Sequence, residues 1–195
     1  MAGDTAFKSE ERFDQRKFRR WIDERSPSDL NHYELIEGRI AMTPPARWPH
    51  GRVAMLIGSR LEQHVRKHEL GVVLDSSTGY ELPSGDTVEP DVSFISTQRF
   101  AKGPRPTAGQ FIRIVPDLVV EILSPATARR DRTEKKKLYE ANGVDEYWIV
   151  DPARRSVAVF HLGKQGYAGR SIAEGKLRSR VLSRLDLQVE EIFSD

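Results

Sequence analysis

Two stretches of the chain place apolar residues at the three- and four-residue steps that are typical of an amphipathic α-helix. The first runs from Phe13 to Glu24 and stops at residues 26–29, where serine and proline favour a turn. The second is longer, from Val53 to about His68, and Gly71 ends it. We expect this second helix to pack its apolar face against a sheet.

Shorter apolar or alternating runs predict strands. Residues 33–36 and 39–42 flank Glu37-Gly38, which supplies a glycine where a tight hairpin needs positive φ. Further strands are expected at residues 72–74, 79–82, 88–95, 146–150 and 156–162. Residues 97–109 are polar, basic and rich in proline and glycine, and we interpret them as an exposed loop.

Residues 117–123 begin with Asp117 and continue as a strongly apolar run that Glu121 interrupts. A strand that is apolar on both faces is expected at the centre of a sheet covered on both sides. A carboxylate buried in such a strand costs several kcal/mol unless a cation or a bound metal compensates it. The sequence therefore requires a partner for Glu121.

The segment after this strand predicts a helix over residues 132–141. Asp131 and Glu134 have the spacing of a capping box, with Asp131 as the N-cap, and Asn142-Gly143 supplies a C-terminal stop. An early hairpin followed by strand, helix, strand and hairpin predicts an α/β (α+β) fold, with one mixed β-sheet flanked by helices. The spaced leucines of residues 177–193 leave two alternatives, packing on the sheet or on a second subunit.

The composition narrows the class of protein. With 195 residues, the chain is expected to form one domain over residues 1–195, with residues 1–12 as a flexible N-terminal extension. It has no cysteine, which excludes disulfides, thiolate zinc sites and cysteine nucleophiles and fits a reducing compartment. No segment approaches the about 20 apolar residues that cross a bilayer. We therefore expect a cytoplasmic protein with no membrane partner.

Strand periodicity brings two acids together. Side chains alternate between the faces of a strand, so Glu121 shares a face with Val119 and Leu123, and Asp91 shares one with Ser93. If the two strands are neighbours, the two carboxylates meet. Two hard oxygen ligands with open water positions suit Mg²⁺ or Mn²⁺. Such an ion lowers the pKa of its water and offsets charge that builds up on a phosphorus centre.

The helix that follows adds Asp131, Lys135 and Tyr139 at i, i+4 and i+8, so one face offers an ammonium to the same water or phosphate. Structural roles stay open for all of these residues. Lys135 also fits an exposed helix face and Asp131 a helix cap, while Tyr139 fits a packed aromatic. Glu121 also fits a buried ion pair, and Asp91 a turn aspartate after proline.

Local charge points to a polyanion more strongly than the net charge of +2 does. Four basic residues follow the Glu121 strand and are candidates for contacts with a DNA backbone: Arg129, Arg130, Arg132 and Lys136. A solvated helix face is the alternative for such a run.

Several of these segments, taken in chain order, resemble the Uma-type restriction endonucleases of the PD-(D/E)XK nuclease superfamily. The resemblance rests on residues 33–38, 89–94, 116–125, 131–135 and 146–152, with His50 and Tyr139, and it runs from about Phe18 to Leu162. It implies a restriction-endonuclease-like core and Mg²⁺-dependent hydrolysis of DNA phosphodiester bonds by a metal-activated water.

By that resemblance, Asp91 and Glu121 bind the metal, and Lys135 positions or activates the attacking water. The superfamily pattern places its lysine two residues after the second acid, where this chain has Leu123. The resemblance implies that the lysine has moved to the following helix. Glu34 is a candidate for a further acidic ligand, and His50 is a candidate to approach the site from before the packing helix; Asp131 and Tyr139 are also accessory candidates.

The sequence thus predicts a metal-dependent endodeoxyribonuclease. The alternative is an inactive nuclease-like fold that binds DNA or a protein partner and keeps the acids for structure. Cleavage of both DNA strands usually needs two sites, so a homodimer is also expected. The chain has no Gly-x-Ser-x-Gly elbow, phosphate loop or Gly-x-Gly-x-x-Gly, and its histidines lack the spacing of a zinc protease.

Overall fold

The structure, a computed structural model, describes residues 7–194 as two β-sheets with helices packed on them. In chain order the elements are β1 (Phe7–Lys8), α1 (Gln15–Asp23), β2 (His32–Ile36), β3 (Arg39–Thr43), α2 (His50–Lys67), β4 (Gly71–Asp75), β5 (Tyr80–Glu81), β6 (Thr87–Val88), β7 (Val92–Ser96), α3 (Thr97–Lys102), β8 (Leu118–Ile122), α4 (Ala128–Arg130), a π-helical turn (Asp131–Lys135), α5 (Lys136–Ala141), β9 (Glu146–Asp151), β10 (Ser156–Gly163), β11 (Gly166–Ile172) and α6 (Val189–Ile192).

The smaller sheet is antiparallel, with the strand order β1-β3-β2-β6-β5. Its β2–β3 hairpin turns at two residues with positive φ, 53° at Glu37 and 71° at Gly38. Two positive φ values are the mark of a type I′ turn, whose twist matches that of the strands it joins. The hairpin predicted around these two residues is confirmed.

The larger sheet is mixed and has the strand order β11-β10-β9-β8-β7-β4. β8 runs parallel to β9, while the other neighbouring strands are antiparallel. Every residue of β8 is buried, as a central strand covered on both faces requires. The predicted mixed sheet flanked by helices is confirmed, and the structure adds the antiparallel sheet as a further layer.

The apolar run that was expected to form one strand over residues 88–95 is divided between the two sheets. β6 pairs within the antiparallel sheet and β7 within the mixed sheet, and Glu89-Pro90-Asp91 cross from one to the other. Pro90 has no N–H to donate to a strand ladder, which explains why the pairing is interrupted there. The crossing sets Asp91 directly before β7.

The two faces of the mixed sheet pack against different elements. The side chains of Leu118, Val120 and Ile122 in β8 belong to the core beneath α2, whereas Val119 and Leu123 face the antiparallel sheet and α5. The C-terminal segment joins the core beneath α2 through Leu177, Leu182, Leu185, Leu187, Val189, Ile192 and Phe193. Of the two alternatives for this segment, the structure shows packing on the sheet.

The helix after β8 begins earlier than the sequence predicts. Thr127 is the N-cap of α4, and the helix continues through the π-helical turn into α5. Asp131 is therefore inside the helix and buried, so the prediction of Asp131 as the N-cap is wrong. The Ser124 hydroxyl accepts the Thr127 N–H at 3.2 Å and helps to close the first turn instead. The predicted stop at Asn142-Gly143 is confirmed, with φ of 78° at Gly143.

Two further segments differ from their sequence interpretation. Residues 97–109, expected as a loop, begin with α3, whose N-cap Ser96 accepts the Arg99 N–H at 3.2 Å. The extension expected over residues 1–12 lies partly outside the described residues, and from Phe7 the chain forms β1 beside β3. Within residues 7–194, no helix combines the length and apolar character needed to cross a membrane.

A buried acid at the start of β9 holds the C-terminal segment on the sheet. Glu146 is fully buried and accepts hydrogen bonds from Trp148 Nε1 at 2.6 Å and from the Arg180 N–H at 2.7 Å. His161 Nδ1 lies 3.1 Å from the same carboxylate. These contacts bring β10 and the C-terminal segment to one point at the edge of the core.

We expect Glu146→Ala to lower the free energy of unfolding by about 3 kcal/mol, because it leaves the N–H groups of Trp148 and Arg180 buried without an acceptor. Urea unfolding followed by circular dichroism measures the change. Asp186→Ala, which removes an exposed acid paired with Lys176 in the same segment, is the matched control and should have no measurable effect. A loss for Glu146→Ala as small as that of the control would contradict the assignment.

Candidate active site

A cavity of about 560 Å³ lies between the end of β8, the start of α2 and the π-helical turn. The candidates that line it are Glu34, His50, Asp91, Glu121, Arg130, Asp131 and Lys135. Tyr139 lies behind them and donates its hydroxyl to Glu121 Oε1 at 2.7 Å. The structure therefore brings together the three residues that the sequence placed in catalysis and the four that it named as accessory candidates.

The two acids meet because β7 and β8 are antiparallel neighbours. Val92 pairs with Val120 and Ser93 with Val119, so the register continues to Asp91 opposite Glu121. Side chains at opposite positions have Cβ atoms roughly 5 Å apart. Asp91 Oδ2 also accepts the N–H of Ile122 at 2.7 Å, which ties the acid to the end of β8.

Lys135 reaches the acids from the π-helical turn. Its Nζ lies 2.6 Å from Glu121 Oε1 and 2.8 Å from Glu34 Oε1, and the residue is only 2% exposed. Burial by itself lowers the pKa of Lys135, but the charges of Glu121, Glu34 and Asp131 outweigh it and hold the pKa above its usual value. The alternative of an exposed helix face does not fit this lysine.

Glu34 and Glu121 share the same lysine but differ in their remaining partners. Burial raises the pKa of Glu34, but the charges of Lys135 and Arg130 lower it by more. The pKa of Glu34 is therefore below its usual value. Burial raises the pKa of Glu121 well above its usual value; Asp131, Asp91 and Glu34 add to that rise, and Lys135 opposes it. Glu34 has two cationic neighbours, Lys135 and Arg130, whereas Glu121 has Lys135 and three acids around it.

His50 and Asp131 complete the ring of titratable groups. His50 Nε2 lies 3.1 Å from Asp91 Oδ2, and although burial lowers the pKa of His50, the Asp91 contact raises it above its usual value. Burial raises the pKa of Asp131 to about 6, against the opposing charge of Lys135. Asp131 Oδ1 is buried and has no hydrogen-bond partner within residues 7–194.

Sequence reasoning missed a pair of contacting residues that line the cavity, His32 and Glu89. His32 Nδ1 lies 2.9 Å from Glu89 Oε2, and the Glu89 N–H donates to Glu34 Oε1 at 3.0 Å. Strand alternation could have indicated Glu89, because it lies two residues before Asp91 and has the same parity. No local pattern indicates His32, whose partner is 57 residues away in the chain.

Of the four basic residues predicted to contact DNA, the structure brings Arg130 into the cavity. Its Nη2 donates to Thr43 Oγ1 at 2.8 Å and lies 3.4 Å from Glu34 Oε2. Arg132 instead pairs with Asp151 at 2.7 Å, and the Lys136 Nζ lies over the ring of Phe160, 3.9 Å from its centroid. Arg129 is exposed.

The donor set fits Mg²⁺ or Mn²⁺ better than zinc. Across the described part of the chain, no three histidine, aspartate or glutamate side chains gather closely enough to enclose a metal ion. Mg²⁺ needs no such enclosure, because it binds through one or two carboxylates and keeps waters and substrate phosphates as its other ligands. Asp91 and Glu121, which line the cavity from neighbouring strands, are the two carboxylates that would serve in this way.

A mixed sheet that presents two acids on neighbouring strands, with a lysine reaching them from the next helix, is the arrangement expected of a restriction-endonuclease-like fold. The chain belongs to the Uma2 family: the sequence model of this family, described as "Putative restriction endonuclease", matches residues 16–190. The resemblance inferred from the sequence is confirmed, and the family places the protein among the nucleases.

A solved structure supports the fold independently. It is the crystal structure of a protein described as a "putative nuclease belonging to DUF820" from Anabaena variabilis, and it superposes with a TM-score of 0.76 at 20% sequence identity, covering 93% of this chain and 97% of the other. At that identity the likeness establishes the fold alone. No curated protein matches the sequence.

The buried carboxyl of Asp131 makes stability depend on pH in a defined direction. Its pKa is about 6 in the folded protein, whereas the ordinary value of 3.8 applies to the unfolded chain. The folded protein therefore binds this proton more tightly than the unfolded chain does. The contribution to stability is complete below pH 3.8 and is lost as the pH rises through about 6. A side chain that cannot ionise avoids that loss.

We therefore expect Asp131→Asn to gain free energy of unfolding relative to wild type as the pH rises from about 4 to about 8, by up to about 3 kcal/mol. Urea titrations in EDTA at several pH values measure the difference. Asp23→Asn, at an exposed acid of α1, should show no pH-dependent difference. A difference for Asp131→Asn that is constant or shrinks with rising pH would refute the argument.

Proposed function

We propose that the protein is a Mg²⁺- or Mn²⁺-dependent endodeoxyribonuclease that hydrolyses DNA phosphodiester bonds by attack of water. The observation that carries this proposal is the 2.6 Å contact between Lys135 Nζ and Glu121 Oε1 in the cavity that Asp91 also lines. It supports the idea that a lysine from the following helix replaces the one that the family pattern places at Leu123. All three residue types that the chemistry needs then face one cavity.

Asp91 and Glu121 are the residues that would hold the divalent cation, because both carboxylates line the cavity from neighbouring strands. When bound, such a cation supplies a water of lowered pKa and offsets the charge that develops on phosphorus. Burial raises the pKa of Glu121 well above its usual value, and a cation beside it would favour its charged form. His50 orients Asp91 from the side facing α2.

Lys135 acts in this proposal as a fixed ammonium. Its raised pKa keeps it protonated at neutral pH, so it donates hydrogen bonds and cannot accept a proton. Two of its three N–H groups are directed to Glu34 and Glu121, which leaves the third for the attacking water or a phosphate oxygen. The water oxygen forms the new bond to phosphorus and releases one proton to solvent. The bond to the leaving deoxyribose oxygen breaks, and that oxygen takes a proton from solvent.

Glu34 serves as a positioning residue for Lys135 rather than as a metal ligand. Its Oε1 accepts from Lys135 and from the Glu89 N–H, and its Oε2 faces Arg130. Both oxygens of Glu34 are therefore engaged by neighbouring groups of the protein. Its role is to accept one N–H of the Lys135 ammonium, so that the third N–H is directed to the substrate.

Plasmid nicking with Mg²⁺ or Mn²⁺ tests the assignment. We expect Glu121→Gln and Lys135→Met to reduce nicking by roughly 100-fold or more, the range observed when an acid–base or electrostatic group is removed from an active site. Both substitutions approximately keep the size of the side chain, and circular dichroism checks that the variants fold. Lys137→Ala, two residues along on the exposed side of the same helix, is the matched control and should cut like wild type.

Calorimetric titration with Mn²⁺ separates the two roles without any activity. Glu121→Gln should lose most Mn²⁺ binding, because it removes one of two anionic ligands, whereas Lys135→Met should still bind. Nicking by the folded variants at the wild-type rate would defeat the catalytic assignment. Metal binding without any nicking by the wild-type protein would instead favour a nuclease-like fold that only binds nucleic acid.

A further inference from the structure

One large aromatic side chain at the rim of the active-site cavity has no use in the mechanism above. Trp48 lines the cavity and is 76% exposed, and its ring has no aromatic or cationic partner within residues 7–194. A tryptophan offers some 150–250 Å² of surface for burial, so one that remains in water retains a large capacity for contact. A single exposed apolar residue needs no explanation by itself, and position must therefore decide whether it has a role.

Its position is fixed relative to the acids. Trp48 precedes His50 by two residues, and His50 contacts Asp91 at 3.1 Å. Trp48, Asp91 and Glu121 line the same cavity. The loop also contains Pro44, Pro45 and Pro49, whose locked φ angles limit the conformational entropy that binding would remove.

The cavity itself selects for a single strand. Its volume of about 560 Å³ is that of a site for a drug-sized molecule, and so for a nucleotide or two rather than a whole duplex. Glu121 and Asp131 at its floor are 4% and 2% exposed, so a phosphate must descend into the cavity to reach them. A strand that does so separates from its partner, and the bases beside that phosphate lose their stacking neighbours.

A base that has lost its stacking neighbours can stack instead on an indole ring at the rim of the cavity. Base–aromatic stacking contributes roughly 1–3 kcal/mol per base and tolerates any base, because every base has a π-face. Arg130 in the same cavity provides positive charge for the phosphate beside that base. The ring lines the same cavity as the carboxylates, and this position favours a nucleobase as the occupant.

We propose that Trp48 is a stacking platform for a nucleobase next to the scissile phosphate, and that the preferred substrate is DNA with unpaired bases at that point. Single strands, loops and bulges belong to this class, and continuous duplex does not. The proposal rests on the proposed function for the location of the scissile phosphate. Its central claim, that the ring contacts an unpaired base, concerns binding and can be measured without hydrolysis.

The test is binding of a fluorescein-labelled oligonucleotide by anisotropy, in EDTA so that no metal-dependent cutting occurs. We compare a single strand with the same sequence as a duplex. Trp48→Ala should weaken binding of the single strand roughly tenfold, the equivalent of about 1.4 kcal/mol within the stacking range, and should change duplex binding by less than twofold. Leu30→Ala, at an apolar residue with a similar exposure of 73% that does not line the cavity, should change neither.

Two conservative variants separate stacking from apolar contact. Trp48→Phe keeps a π-face and should retain most of the single-strand affinity, whereas Trp48→Leu should behave like Trp48→Ala. An equal loss on single strand and duplex, no loss at all, or no measurable single-strand binding by the wild type would overturn the proposal. So would a dimer in analytical ultracentrifugation that Trp48→Ala converts to monomer, because the ring would then cover a second copy of the chain.

The experiments distinguish failure of the stacking proposal from failure of the proposed nuclease function. If wild type cuts plasmid and Trp48→Ala binds and cuts like it, the stacking platform is wrong and the proposed nuclease function stands. If the wild type cuts neither plasmid nor a single-stranded oligonucleotide with Mg²⁺ or Mn²⁺, but loses single-strand affinity on Trp48→Ala with recovery in Trp48→Phe, the ring is a nucleobase contact and the proposed hydrolysis is wrong.

Discussion

A single buried ammonium connects the three parts of the molecule that form the cavity. Lys135 comes from the helix after β8, Glu34 from the antiparallel sheet and Glu121 from the mixed sheet, with contacts of 2.8 Å and 2.6 Å. Removing the ammonium would leave the carboxylates of Glu34 and Glu121 buried without the cation that they share. The relative placement of the sheets and the helix therefore depends on this charge as well as on the apolar core between them.

Such a network is not the most stable way to fill a core. Apolar residues of similar volume often stabilise as well as a buried ion pair, because charges lose hydration when they leave water. The network here also leaves Glu121 with a raised pKa and Asp131 with an oxygen that lacks a hydrogen bond within residues 7–194. Shifted pKa values and unpaired polar atoms that cluster in one cavity are typical of a functional site. The family membership of the chain agrees with that reading.

Two irregularities of the backbone build the cavity. Pro90 interrupts the strand ladder and lets the chain cross from one sheet to the other, so Asp91 arrives opposite Glu121. The π-helical turn at Asp131–Lys135 widens the helix by one residue where Asp131 and Lys135 both point inward. π-Turns of this kind often occur at functional sites.

Much of the fold was predictable from local patterns. The Glu37-Gly38 hairpin, the apolar face of α2 and the buried strand β8 follow from periodicities of two and of about 3.6 residues, which any short segment expresses by itself. The pairing of Asp91 with Glu121 was also within reach, because strand alternation selects their faces. The start of the helix after β8 was not, since Asp131 has the sequence signature of a cap and is instead buried among charges.

By itself, then, the sequence determined which segments form helices and strands, which faces are apolar, and that a buried acid needs a partner. Only the tertiary structure decided that this partner is Lys135 and that Glu34, 101 residues away in the chain, holds the lysine's other side. It also decided that His32 and Glu89 join the cavity and that Arg132 and Lys136 lie outside it. The reason is physical: periodicity is a property of neighbouring residues, whereas a buried charge is satisfied by whatever the packing of distant layers brings within about 3 Å.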